Sequence, residues 1–367
     1  MTNTVVQGLP RWSLAVPPLA FVVLLLSWHR DLGVVLLILV CAGLGAAVIA
    51  AVHHAEVVAH RVGEPFGTLI LALAVTVIEV ALIVTLMAPG GVKAATLARD
   101  TVFAAVMITC NGILGLSLVV GSLRHHVQEF RVRASTGALA VITALVTLSL
   151  VLPTFTTSAP GPQFSSAQLA FAGVTSLVMY GVFVFVQTIR HRDYFLPVQS
   201  AADAEEDEER HANAPSGKVA LLSLGLLFVC LISVVGLAKT VSPSLESAVE
   251  SAGAPVAVVG VAIALLVLLP ETAAAVRAAL RNRLQTSFNL ALGSALASIG
   301  LTIPAIAVAS IWLSGPLVLG LGGKEIVLFA LTVVTSILTL ATGRATLLQG
   351  AVHLMVFSAF LFLAVSP

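Results

Sequence analysis

The chain has 367 residues, 59% of them apolar and only 10% charged, with a formal net charge of +1 and a mean hydropathy of +1.08. A bilayer span takes roughly 20 residues, so this apolar stock is enough for about eleven membrane helices, whereas a soluble domain carries roughly 25% charge. A soluble enzyme, a disordered chain and a nucleic-acid binder, which needs a basic excess, are all excluded as readings.

In chain order, the first apolar run is Leu14–Trp28, just after Arg11. It resembles a secretory leader, but no small-residue cleavage pattern follows it, and His29, Arg30 and Asp31 lead straight into the next run. A retained helix is expected. Further runs of span length cover residues 32–52, 66–88, 101–122, 136–152, 167–188, 218–237, 254–270, 288–313, 321–341 and 345–365. These are long continuous runs, not short alternating ones, so helices are expected and a β-barrel is not. The expected fold is an all-α polytopic membrane protein with about 11 transmembrane helices. Cys41, Cys110 and Cys230 lie in apolar runs with no C-x-x-C or Cys/His cluster, and read as small core residues.

Lys and Arg fix the expected orientation, because the inner side collects them in short loops. With the N-terminus inside, 13 of the 18 fall on inner segments. The expected location is a plasma membrane, with the N-terminus and the acidic linker cytoplasmic. That linker, residues 190–217, contains Asp203, Glu205, Glu206, Asp207, Glu208 and Glu209. It divides an N-terminal helix (1–31) and five spans (32–189) from five more (218–367). Five is odd, so the second set enters the membrane in the opposite sense, giving two inverted five-helix repeats.

The second helix of each set carries a carboxylate, Glu79 in the first and Glu271 at the expected end of the second. Matched polar interruptions of this kind point to a transporter's ion or substrate site. Glu79 stands in the apolar run 68–87 with no cation inside it. An ionised carboxylate at that depth costs several kcal/mol, so the group should face the bundle interior and be protonated or bound to a cation. Thr76, on the same helical face, is a further oxygen donor, although a hydroxyl in a span more often bonds its own backbone. Glu271 follows Pro270, which kinks or breaks a helix and frees carbonyls able to hold a cation. It reads equally as an interfacial residue balanced by Arg277. In the following helix Gln285, Asn289, Gly293, Ala297 and Gly300 form one stripe, and Ser294, Ser298 and Thr302 a neighbouring one. Small stripes often serve only close packing.

Pro270–Glu271, followed after eleven residues by Asn282 and after eleven more by Gly293–Ser294, resembles the second repeat of the calcium/cation antiporter superfamily. The segments Gly63-Glu-Pro-Phe-Gly-Thr, Ile78-Glu79-Val and 289–304 are similar to stretches of its bacterial ChaA-type Ca²⁺(Na⁺)/H⁺ antiporters. The resemblance implies a cation/proton antiporter of the bacterial inner membrane, with Ca²⁺ as leading cargo and Na⁺ or K⁺ as the alternative. It implies no cofactor, and partners limited to lipid, inorganic cations and protons. The superfamily usually carries Asn three positions ahead of each repeat glutamate, where this chain has Thr76 and Leu268. Asn111, in the fourth run, aligns loosely as the first-half partner of Gly293–Ser294.

The expected site therefore holds Glu79, Glu271, Thr76, Asn289 and Ser294. Burial favours the protonated carboxyl and a bound divalent ion favours the carboxylate, so cation and protons compete and opposite fluxes are coupled. A passive channel and a lipid-modifying membrane enzyme are the readings from other classes. The enzyme lacks clustered charged or His residues with catalytic spacing at one interface. His53, His54, His60, His125 and His126 flank expected inner helix ends and read as a solvated surface or pH sensors outside the site.

Overall fold

The computed structural model describes residues 9–28, 30, 33–63, 66–88, 94–195, 215–251, 253, 255, 257–313 and 315–366. The acidic run 203–209 and the Glu64–Pro65 part of the first-half motif lie outside the described residues. The helices among them are α1 (Arg11–Ser27), α2 (Val34–Val62), α3 (Phe66–Met87), α4 (Leu97–His125), α5 (Val132–Thr154), α6 (Ser166–Arg190), α7 (Gly217–Ser251), α8 (Ala257–Leu280), α9 (Leu284–Ala309), α10 (Gly323–Leu340) and α11 (Leu347–Val365), with one extra turn at Arg192–Phe195. Nine are long and apolar enough to cross a bilayer, and α1 and the Leu73–Met87 part of α3 are shorter apolar segments. The protein is an all-α polytopic membrane protein.

Three helices outrun the apolar signal: α2 continues to Val62 and α8 to Leu280, each about three turns past the end of its hydrophobic run, and α7 to Ser251, about four turns past. In α8 the extension is Thr272-Ala-Ala-Ala-Val-Arg-Ala-Ala-Leu280, and alanine is the best helix former. α8 runs unbroken through Pro270, so Glu271 stands inside the helix and not at its end. Membrane helices tolerate an internal proline because neighbouring groups take up what it leaves open.

The contacts divide the chain into two compact units, and each draws on both sequence halves. The first, Met1–Leu86 with Gln199–Ala248, contains α1, α2, most of α3 and most of α7. In it α1 packs on α2, and its buried residues Ser13, Pro17, Ala20, Leu24 and Ser27 form a stripe at three- and four-residue steps. Cys41 faces outward from α2, whereas Cys230 in α7 is buried, as is Cys110 in the second unit.

The second unit, Met87–Val198 with Val249–Pro367, is organised around α4. That helix is apolar nearly all round and buried over most of its length, as a central helix must be. It packs on α8, α9 and α11, while α9 packs on α5, α6 and α8. At the α6–α9 crossing the backbones come close enough that a Cβ on Gly300 would lie 2.8 Å from that of Tyr180.

The loops of this unit collect at two ends. At one, Gln128–Glu129 pairs antiparallel with Arg344–Ala345, and the Gln128 amide donates to Ala279 O (2.9 Å) and Asn282 Oδ1 (3.1 Å) in the α8–α9 turn. At the other, Arg99 donates to Gly320 O (3.1 Å), Thr154 to Leu321 O (2.7 Å) and Gly320 N to Pro162 O (3.0 Å). This sorting agrees with an alternating set of spans.

Candidate ion-binding site

Glu79 is 2% exposed and Thr76 4%. They share one face of α3 with Val75, Ile78, Leu82 and Ile83, all buried, while Leu73 and Val77 turn outward. An apolar helix thus points its one carboxylate inward. Glu271 is half-buried on α8, in line with buried Val267, Leu268 and Ala275 at four- and three-residue steps, and Leu265 and Leu269 face out. Thr272 spends its hydroxyl on Leu268 O (2.7 Å).

Asn289 and Ser294 are half-buried on α9, which packs directly on α8. The Asn289 carboxamide is engaged near the α8–α9 turn: Gln285 Nε2 donates to its Oδ1 (2.8 Å), and its Nδ2 donates to Phe195 O. Gln285 Oε1 in turn accepts from the backbone N–H of Arg131 (2.7 Å). Asn282 has a left-handed φ of 62° and serves the turn itself. The polar-to-small stripe divides, since Gly300 packs on Tyr180, whereas a Cβ on Gly293 would meet nothing within 4 Å. Thr76 and Glu79 are thus neighbours within the first unit, and Glu271, Asn289 and Ser294 lie on two packed helices of the second.

Among the described residues no three His, Cys, Asp or Glu side chains come together as a metal centre. The candidate side chains offer carboxylate, hydroxyl and carboxamide oxygens, a donor type suited to hard ions.

The histidines form the solvated surface the sequence suggests only in part, since His60 and His126 are exposed but the others are not. His54 is fully buried and bonds Ser13 O (2.9 Å), and His125 bonds Leu280 O (2.9 Å). The extension of α2 to Val62 accounts for this, because it puts His53 and His54 more than two turns from the helix end. Asn111 is fully buried on α4. It bonds Thr332 of α10 and His353 of α11, and that fully buried network passed unnoticed in the sequence. Its traces there are a lone histidine in an apolar run and hydroxyls at 332, 336 and 339.

A bundle of apolar helices with an inward carboxylate in each sequence half defines a multi-pass secondary transporter of the cation-exchange class. The chain belongs to the sodium/calcium exchanger protein family, which it matches over residues 32–189 and 222–366. A Sinorhizobium fredii protein named as an ionic transporter is 49% identical over 98% of this chain and 97% of its own. The Escherichia coli sodium-potassium/proton antiporter ChaA is 37% identical over 95% and 94%. The solved structure of YfkE, a Ca²⁺/H⁺ antiporter, shares the fold at a TM-score of 0.70 and 19% identity, covering 97% of this chain and 99% of that one.

Proposed function

We propose that this chain exchanges a cation for protons across a bacterial inner membrane, with Glu79 and Glu271 binding either the cation or protons. The observation that carries this reading is Glu79 itself, a carboxylate 2% exposed on an otherwise apolar helix face. Such a group is stable as the neutral acid or as the ligand of a cation, and switching between the two is the coupling step.

Thr76, Asn289 and Ser294 are the proposed auxiliary donors, with backbone carbonyls and water. For Asn289 the donor would be Oδ1, which accepts one bond from Gln285 and keeps a second lone pair. The two segments of the family match support two repeats, 32–189 and 218–367. The arginine distribution supports an inside N-terminus and a cytoplasmic linker.

Ca²⁺ is the leading cargo, since two carboxylates neutralise one divalent ion and Ca²⁺ accepts a flexible set of six to eight oxygens. Na⁺ or K⁺ is the second reading. Leu268 supplies no side-chain oxygen where the superfamily has asparagine, and the E. coli relative is named for sodium and potassium. The test is the purified chain in proteoliposomes carrying a pH gradient, with Ca²⁺, Na⁺ and K⁺ added separately. Dissipation of the gradient by Ca²⁺ supports the first reading, and by Na⁺ or K⁺ alone the second. Cation entry without proton movement means a channel and overturns both.

A further inference from the structure

The middle of α4 is not regular α-helix. Ile108–Ile113 form a π-turn in which every residue is buried. A π-turn inserts one residue, breaks the i→i−4 ladder locally, and marks functional sites more often than chance. It needs outside partners, and α11 and α10 supply them. Asn111 Nδ2 donates to Thr332 Oγ1 (2.9 Å), and the Thr332 hydroxyl spends its proton on Leu328 O (2.8 Å). That fixes the carboxamide, so its Oδ1 is the atom facing His353 Nδ1 at 3.2 Å.

An amide oxygen only accepts, so Nδ1 carries the proton. In the neutral ring Nε2, 3.1 Å from Thr339 Oγ1, is the acceptor of that hydroxyl. Both ring nitrogens are occupied and every hydrogen-bonding neighbour is uncharged. On the helices packed against α11 the other titratable groups include Cys110 in the π-turn and Glu271 on α8, while Asp100, Lys324 and Glu325 stand seven or more residues along α4 and α10 from Asn111 and Thr332.

The π-turn packs against α8 and α9, the helices that carry Glu271, Asn289 and Ser294. Nearer the other end of α4 the fit to α8 is close, a Cβ on Gly260 falling 3.0 Å from the Thr101 backbone N. A one-residue change of register in α4 would therefore move the wall on which the Glu271 helix lies.

We propose that Asn111 and His353 are a positioning pair for the exchange reaction: the neutral ring pins the π-turn of α4 and so sets the seat of the Glu271 helix, and it carries no proton through the cycle. The inference rests on the reading that Glu271 is one of the exchanging carboxylates.

The experiment compares Ca²⁺-driven proton movement in proteoliposomes, or Na⁺-driven where Ca²⁺ gives no signal, across a pH series for wild type, His353→Asn and His353→Leu. Asparagine keeps a donor toward Asn111 but cannot titrate, and leucine removes both functions. Expected are a His353→Asn rate within about twofold of wild type with the same pH midpoint, and a His353→Leu half-saturating cation concentration raised about tenfold, again at an unchanged midpoint. A shifted midpoint or lost exchange in His353→Asn overturns the proposal, as does wild-type behaviour in His353→Leu. Should the leucine variant fail to insert, the asparagine variant decides alone. Glu271→Gln measured in parallel separates the two readings, because retained exchange there removes the carboxylate reading whatever the His353 variants do.

Discussion

His54 Nε2 stands 2.9 Å from the carbonyl oxygen of Ser13, joining α2 to α1 by a hydrogen bond that the α1 backbone cannot make for itself. An α-helical carbonyl accepts from the residue four positions on, which here is Pro17, and Pro18 follows it; neither has an N–H. The carbonyl is buried among apolar groups, and leaving it open costs roughly 1–3 kcal/mol. His54→Leu should therefore lower stability by about that amount, read as a fall in melting temperature in detergent. Pro17→Ala restores the intrahelical donor, so the double variant should recover much of the loss. Equal losses in the single and double variants would show that His54 acts by packing alone.

The glycines of α9 separate packing from the candidate site. A methyl on Gly300 falls 2.8 Å from Tyr180 Cβ, inside contact distance, while one on Gly293 meets nothing. Gly300→Ala should cost about 1–3 kcal/mol through overpacking. Gly293→Ala should be neutral or stabilising by up to about 1 kcal/mol, since alanine is the better helix residue. Thermal unfolding of both variants in one detergent checks this, and comparable losses would mean that Gly293 faces a close neighbour after all.

Eleven apolar helices and most of their ends were legible in the sequence because lipid imposes a length and a polarity on each helix. What escaped was whatever hydrophobicity does not encode. The α8 helix past Glu271 is held by alanine propensity and by Gln128 reaching its last turn at Ala279 O. The π-turn at Asn111 depends on His353, 242 residues away, and no local pattern announces such a pair. The inward direction of Glu79 was predictable, since an apolar helix has only one tolerable place for a carboxylate. For Asn289 the residue type suggested a ligand, but its engagement with Gln285 and Phe195 is tertiary information.

Topology is testable through α5, whose 23 residues span about 34 Å and separate the 125–131 turn from the 155–165 loop. In a background without native cysteines, Val127→Cys should react with an impermeant thiol reagent from the cytoplasmic side and Ser158→Cys from the other. Both positions border exposed turns at the ends of the helix. Labelling of both from one side would contradict the alternating arrangement, and labelling with the sides exchanged would reverse the proposed orientation of the whole chain.

The two glutamates give the most direct test of the shared-site mechanism. Glu79→Gln and Glu271→Gln keep size and hydrogen-bonding capacity but remove the group that exchanges a proton for a cation. Glutamine is nearly isosteric with glutamate, so insertion and melting temperature should be largely unaffected. Each substitution should abolish cation-driven proton movement. Asp substitution keeps the charge but shortens its reach by one methylene, and should weaken Ca²⁺ binding more than proton binding. In wild type the apparent cation affinity should fall as pH is lowered, because protons occupy the same oxygens; a channel has no reason to show that linkage. Near wild-type exchange in either Gln variant would make that carboxylate structural, and the competition between cation and proton would have to be sought elsewhere in the bundle.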